Sequence, residues 1–313
     1  MMHPVINDIG VKIQDEVVKE ERRQSFDNRP YGNFINTVAR DLFTAHPYHN
    51  GVIGEMKDID AAKLDEFKAF FKQYYVPNNA VLTIAGDIDP IKTKALIASY
   101  FGPIPGGPAV VYHKTEEPPL SKPIVDTFYD ANTQIPLIAV AYRVPGRDSR
   151  DAKVMQMISN ILSQGGSSRL YKKMVDDKKE ALQVLAFNYS LEDYGMYIIG
   201  ALPNNGTAPD VLKKDIDDEI VKLQTDLISP EDYQKLENQM EDNYVNANSR
   251  QLGIAENLAN GYTFDHKHTN ELNEELAVYK SITREEIREA AKKYLDANQR
   301  LVLYYLPGKA KAK

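Results

Sequence analysis

The stretch SITREEIREAAKKYLDANQRLVLY, residues 281–304, decides the fold. Thr283 and Glu286 form a capping box in front of a helical pattern that runs through Lys293 and closes at Tyr294. A short turn bearing Asn298 follows, and then the apolar, β-branched strand Leu301–Tyr304. The same order stands earlier, in DIDAAKLDEFKAFFKQYYVPNNAVLTI, residues 58–84, where Asp60 is expected to cap the helix. Aligning Tyr74 with Tyr294 gives an internal repeat offset by about 220 residues. The later copy starts with strands around Ile124–Tyr129 and Leu137–Val144, so the earlier one is expected to start about 95 residues before Met1.

Working outward, Gly102-Pro103-Ile104-Pro105-Gly106-Gly107-Pro108 and Glu116-Glu117-Pro118-Pro119 break both helix and strand and read as a linker. This predicts residues 1–119 as the C-terminal part of a first domain plus linker, and residues 120–313 as a second domain. Beyond the linker, a helix is predicted around Asp151–Leu162, a break at Gly165-Gly166-Ser167-Ser168, and a helix from Arg169. Strands near Ala181–Ser190 and Tyr194–Ala201 form an expected antiparallel pair, and long helices follow over Ala208–Leu223 and Pro230–Asn257. The expected fold class is α+β. It comprises two homologous sandwich domains, each an antiparallel sheet packed with helices, the first incomplete at its N-terminus.

Composition narrows the function. A 313-residue chain with 42% hydrophobic and 27% charged residues suits a globular protein of two domains. Its net charge of −7 offers no basic stripe for phosphates, so nucleic acid is not an expected partner. Lys309, Lys311 and Lys313 read as a solvated tail. The absence of cysteine excludes disulfides, thiolate nucleophiles and Cys-ligated zinc. The longest apolar runs, Ala80–Ala85 and Ile135–Ala141, suit buried strands and are too short to span a bilayer.

An ordered set of short motifs is more specific. Val17-Val18-Lys19-Glu20-Glu21-Arg22-Arg23 is followed by Asp27-Asn28-Arg29-Pro30-Tyr31-Gly32 and His46-Pro47-Tyr48. Then come Ile53-Gly54, Tyr74-Tyr75-Val76-Pro77-Asn78-Asn79-Ala80 and Gly86-Asp87, and in the second domain Gly165-Gly166-Ser167-Ser168-Arg169-Leu170-Tyr171. The set resembles the insulinase/pitrilysin-type, or inverted zincin, metallopeptidases over nearly the whole chain. That resemblance implies zinc held by H-x-x-E-H on one helix and by a Glu on a later one. Histidines four apart share a helix face and one metal, and the intervening Glu can take a proton from metal-bound water.

By the motif match Glu21 corresponds to the distant zinc-ligating glutamate. An acidic residue common seven positions earlier in the family is Gln14 here. The histidine motif would fall about 55 residues before Met1, inside the segment the repeat leaves out. In this chain alone Glu21 reads equally as a surface carboxylate among Glu16, Glu20, Arg22 and Arg23. His113-x-x-Glu116-Glu117 and His268-x-x-Glu271-Leu272 lack the second histidine. Pro47 disfavours a helical site at His46 and His49. These histidines, with His266, are expected to be exposed or in loops.

The resemblance further implies that the second domain is catalytically inert but offers substrate an Arg and a Tyr seven positions apart. Those positions are Val175 and Leu182 here, neither able to donate a hydrogen bond. Arg169 and Tyr171 are the remaining substrate-binding candidates, although Arg169 could equally pair with Asp176 or Asp177. The resulting expectation is a zinc metallopeptidase-family protein, hydrolysing peptides when intact. This chain, lacking H-x-x-E-H, is expected to be inactive alone and to bind no zinc itself. The alternative is a non-catalytic partner subunit that binds and orients peptide for an active one; a purely structural role is a third reading. Expected partners are a peptide substrate and another family half, as a homo- or heterodimer. The compartment stays open, because any secretion signal would lie in the missing segment.

Overall fold

The computed structural model describes residues 4–264 and 269–308; His266, His268 and the three lysines of the C-terminal tail lie outside the described residues. In chain order the helices are α1 Asp8–Arg22, α2 Phe34–Leu42, α3 Met56–Ala61, α4 Leu64–Tyr74, α5 Pro90–Phe101, α6 Arg150–Ser163, α7 Pro209–Thr225, α8 Pro230–Ala247, α9 Gln251–Phe264, α10 Glu271–Lys280 and α11 Arg284–Tyr294. The strands are β1 Ile124–Asp130, β2 Leu137–Pro145, β3 Ala181–Ser190, β4 Tyr194–Pro203 and β5 Arg300–Pro307. The chain packs as two compact units. One comprises Met1–Gln24, Val52–Lys114 and Val245–Glu274, the other Ser25–Gly51, Thr115–Tyr244 and Glu275–Lys313.

The larger unit carries all five strands of the described residues in one sheet, ordered β1-β5-β2-β4-β3. The antiparallel β3–β4 pair stands where the sequence predicts it. The sheet as a whole is mixed rather than antiparallel, because β1 runs parallel to β5. These two strands lie about 170 residues apart, so no tight hairpin forces them to oppose each other.

β2 is buried at every residue from Leu137 to Tyr142, without the alternation of a one-sided strand. Such continuous burial requires cover on both faces. On one face Met155, Ile158, Leu162, Leu212, Ile216 and Ile287, from α6, α7 and α11, pack against Ile138, Val140, Tyr197 and Ile199. On the other, Phe34, Val38, Leu42 and Phe43 pack against Ala139, Ala141, Ile198, Leu303 and Tyr305. The second cover is α2, which precedes the linker in sequence yet packs in this unit.

Buried polar side chains hold that cover. Glu117 accepts from the backbone amides of Thr44 (2.9 Å), Ala45 (2.9 Å) and His46 (2.7 Å) and from the Thr44 hydroxyl (2.9 Å). Arg143 lies 3.5 Å from the same carboxylate. Burial pushes the Glu117 carboxyl up, but the three amides and the hydroxyl outweigh it, so its pKa lies below the usual value. The His46 Nδ1 accepts from the Tyr48 amide (3.2 Å), so Nε2 carries the proton and donates to Asp193 at 3.0 Å. His46 is therefore buried and bonded, against the expectation of an exposed histidine. His49 does lie in a loop turn, with Nδ1 2.9 Å from the His46 carbonyl, and His113 is exposed in an irregular segment. Asp130 accepts from the Tyr31 amide (3.0 Å), the Thr133 hydroxyl (2.8 Å) and the Tyr305 hydroxyl (3.0 Å), pinning the Asp27–Gly32 turn. A side chain on Gly32 would run into the Phe26 carbonyl.

Four local expectations change. The helix predicted over Pro230–Asn257 breaks between α8 and α9, where the Ser249 hydroxyl donates to the Asn246 carbonyl (2.8 Å) in competition with the helix. The helix predicted from Arg169 starts there, but passes into π-helical geometry over Tyr171–Asp177. Asp60 lies within α3 and pairs with Lys19; α4 starts after Lys63, whose amide is bonded by Glu66 at 2.7 Å. The Ala80–Ala85 run forms no ladder, since every strand of the described residues belongs to the other unit; Thr83 instead donates to Ala255 in α9 at 2.9 Å. Its Val81, Leu82 and Ile84 are exposed, as are Ile9, Ile13 and Val17 along α1. By contrast, the capping box of Thr283 and Glu286 stands as the sequence predicts.

Two variants test the larger unit. Glu117→Gln replaces an acceptor of four hydrogen bonds by an amide that must turn a donor toward donors, and should cost about 2 kcal/mol at pH 7. Because the folded carboxyl is depressed, its contribution is fully present above pH 4.5 and lost as pH falls through the folded value. In urea melts the gap between wild type and variant should therefore narrow as pH falls from 7 towards 3. Asp41 behaves oppositely. Burial raises its carboxyl to about 6 despite Arg40, and the Asp126 carboxylate adds to the rise. Stability should then fall as pH rises from about 4 to about 6, so Asp41→Asn should raise Tm at pH 7.5 and leave it nearly unchanged at pH 4.

Candidate functional site

Two motif-bearing segments hold the candidate residues: a helix that runs into a π-helical segment, and a tight turn that leads into another. In the smaller unit, α1 is capped by Asn7, whose side chain accepts from the Gly10 amide at 2.7 Å. Its last turn is fixed by Arg22, which donates to the Gly54 carbonyl and pairs with Glu55 at 3.0 Å, and by Lys19 paired with Asp60. Glu20 pairs with Arg23 at 3.1 Å. Glu21, between these anchored neighbours, is exposed and makes no hydrogen bond or ion pair with the described residues. The ordinary surface pairing that the sequence allows for it is therefore not made.

Spacing on α1 gives Glu21 a particular setting. Ile9, Ile13, Val17 and Glu21 follow one another at four-residue intervals, so the carboxylate continues an exposed apolar row. Gln14 is exposed on the same helix. Among the described residues no three His, Asp or Glu side chains come together to hold a metal ion. A catalytic zinc needs about three protein ligands, so Glu21 alone does not fit that metal, and no hydrolytic step follows from this chain's described residues.

In the larger unit the Gly165–Ser168 break is a tight turn. The Ser168 amide and hydroxyl both donate to the Gly165 carbonyl, at 3.1 and 2.7 Å. Gly165 adopts φ +78°, a conformation that favours glycine. The turn delivers Arg169, half-buried, whose Nη2 donates to Asp232 on α8 at 3.4 Å. The partner is Asp232 rather than Asp176 or Asp177. Tyr171 opens the π-helical segment and packs partly buried against the core. Val175, at the position of the family's substrate Arg, packs against the same core, and Leu182, at the position of its Tyr, is exposed. Lys173 and Lys178 tie the segment to α7 through Asp215, at 3.1 and 2.7 Å.

Arg169 and Tyr171 thus share one segment of the larger unit, whereas Glu21 belongs to the smaller. Sequence reasoning missed Asp193 and Asp232, which carry no motif, and met Glu117 only in the linker and in an incomplete histidine motif; all three gain their roles through contacts distant in sequence. No helix among the described residues is long and apolar enough to cross a membrane.

Comparison with known proteins places these features in a lineage. The zinc protease PqqE of Helicobacter pylori is 29% identical over 223 residues, covering 71% of this chain and 50% of that protein. An uncharacterized zinc protease of Mycobacterium leprae is 25% identical over 220 residues, covering 65% of this chain and 46% of the relative. The chain thus spans about half the length of the curated relatives it matches. Among solved structures, a protease from Helicobacter pylori superposes with a TM-score of 0.90 at 23% identity, covering 97% of this chain and 73% of that one. That likeness shows a shared fold. Residues 61–240, more than half of the sequence, match the family described as the Peptidase M16 inactive domain. The motif resemblance to insulinase-type zinc peptidases is therefore correct, and the chain belongs to the Peptidase M16 inactive-domain family.

Proposed function

We propose that this chain is the substrate-holding, non-catalytic portion of a zinc peptidase, with Glu21 supplying one metal ligand to histidines carried on another segment or chain. The observation that carries this reading is the row Ile9, Ile13, Val17 and Glu21. An exposed carboxylate, unpaired among the described residues, at the end of an exposed apolar row suits a surface on which a further helix packs, bringing ligands to that carboxylate. In the finer form of the proposal, residues 1–119 are what remains of a first sandwich domain and residues 120–313 form a second, homologous one. The unladdered run Ala80–Ala85, aligned by the repeat with strand β5, is then a strand awaiting its sheet.

Zinc, when bound, would supply a hydroxide nucleophile and polarise the peptide carbonyl. This chain's own contribution is one carboxylate and a surface for peptide, with Arg169 and Tyr171 as the contacting side chains. A second reading, a partner subunit that only binds and orients peptide, is favoured by Val175 and Gln14, both losses at positions where the family carries functional side chains. Both readings place a second family half beside this one.

Metal analysis after dialysis tests the proposal, on this chain and on a form extended upstream by about 100 residues, the length that the repeat predicts. One zinc in the long form and none in the short is the expected result. Glu21→Gln in the long form should lower zinc affinity at least tenfold, because a ligand is removed. A long form without zinc would sink the metallopeptidase reading and leave the partner subunit.

A further inference from the structure

The larger unit contains a cleft beside Arg169 that neither the zinc reading nor the core requires. It lies between α6, the Ser167–Arg169 turn and α8, and is small and open to solvent. Its polar lining is Asn160, Ser167, Arg169, Asp232, Lys235 and Gln239. Asn160 is 3% exposed. Its Oδ1 accepts from Gln156 at 3.3 Å, which sets the orientation of the amide, and its Nδ2 has no hydrogen-bond partner among the described residues. A buried, unpartnered N–H donor carries a desolvation cost that an acceptor in the cleft would remove.

The surrounding chemistry defines that acceptor. Arg169 and Lys235 are cations and Asp232 is an anion, so the cleft has one net positive charge. Asp232 meets the guanidinium through a single long bond of 3.4 Å, which leaves the other Arg169 N–H groups available. Lys235 donates to the Ser167 hydroxyl, which leaves two of its three ammonium protons. Donors thus outnumber acceptors around a small, solvent-open space that one carboxylate group can enter from outside. One net charge matches a monoanion, and guanidinium, ammonium and amide donors together match the planar oxygens of a carboxylate.

We infer that the cleft bounded by Asn160, Arg169 and Lys235 is a carboxylate-binding subsite, which takes either the C-terminal carboxylate or an acidic side chain of a bound peptide. The inference rests on the reading that peptide meets this unit at Arg169, but not on zinc. It gives Arg169 a carboxylate partner, while Tyr171, partly buried against the core, lies outside the cleft lining. Asn160 and Lys235 enter as ligand contacts that no motif marks.

The test uses the full chain, labelled with ¹⁵N, and three probes: N-acetyl-tetra-alanine as the free acid, the same peptide as its C-terminal amide, and an amidated peptide with one internal Glu. Binding is read from the shift of the Asn160 side-chain NH₂ resonance, which Asn160→Leu identifies by its loss. The free acid, the Glu peptide or both should bind at least tenfold more tightly than the neutral amide, and which acid binds names the source of the carboxylate. Lys235→Met and Arg169→Gln should each weaken binding about tenfold and keep the wild-type melting temperature within a few degrees, since the Arg169–Asp232 pair is partly exposed. Binding should also weaken as salt rises. Equal affinity for acid and amide, no binding of any peptide at millimolar concentration, or tighter binding of inorganic phosphate than of acetate would each overturn the inference. Zinc content is untouched by any of these results, so failure here is distinct from failure of the metal reading.

Discussion

The buried carboxylate of Glu117 is the interaction on which the rest of the larger unit depends. It gathers three consecutive backbone amides and a hydroxyl from residues 44–46, immediately after α2, and keeps Arg143 at 3.5 Å. An anion in the protein interior is tolerated only when donors replace its lost water, and this one has them. The geometry ties the C-terminal end of α2 to the chain entering the sheet. That tie keeps Phe34, Val38, Leu42 and Phe43 over the face of the sheet that α6, α7 and α11 do not reach. Without such cover, the apolar side chains of β2 and β4 on that face would meet water.

The same logic explains the contrast between the two units. The larger one satisfies its sheet on both faces and ties its turns with buried acids, Asp130 at the Asp27–Gly32 turn and Asp215 beneath the Tyr171–Asp177 segment. The smaller one holds its helix ends by surface-level pairs, Lys19 with Asp60 and Arg22 with Glu55, while leaving Ile9, Ile13 and Val17 to solvent. On the proposed reading this is the surface that a catalytic segment covers. Both motif segments also enter π-helical geometry just beyond the residue of interest, at Arg23–Asp27 after Glu21 and at Tyr171–Asp177 after Arg169. Such segments re-aim side chains relative to a regular helix and recur at functional sites.

Much of this was legible along the chain. The capping box at Thr283, the strands Ile124–Tyr129 and Ala181–Ser190, and the helix around Asp151–Leu162 follow from local patterns that need no distant partner. The motif set was enough to name the family, because Val17–Arg23, the Asp27–Gly32 turn and Gly165–Tyr171 occur together in a fixed order. Local patterns failed where a partner decides the outcome. Ala80–Ala85 has the composition of a strand but forms no ladder, and Asp60 has the chemistry of a cap but is drawn to Lys19. Pro230–Asn257 has the periodicity of one helix, yet Asn246 and Ser249 trade helical bonds for local ones.

The sequence by itself determined the family, the identity and order of most elements of the larger unit, and the absence of thiol chemistry, because these are properties of composition and short-range spacing. Only the tertiary structure decided that β1 runs parallel to β5, that α2 covers the second face of the sheet, and that His46 is buried against Asp193. It alone also joined Asn160, Arg169 and Lys235 around one cleft. The physical reason is common to all four. Strand direction, sheet cover, the burial of a polar group and the convergence of donors are each set by contacts between residues far apart in the chain, and no local pattern encodes which of them will meet.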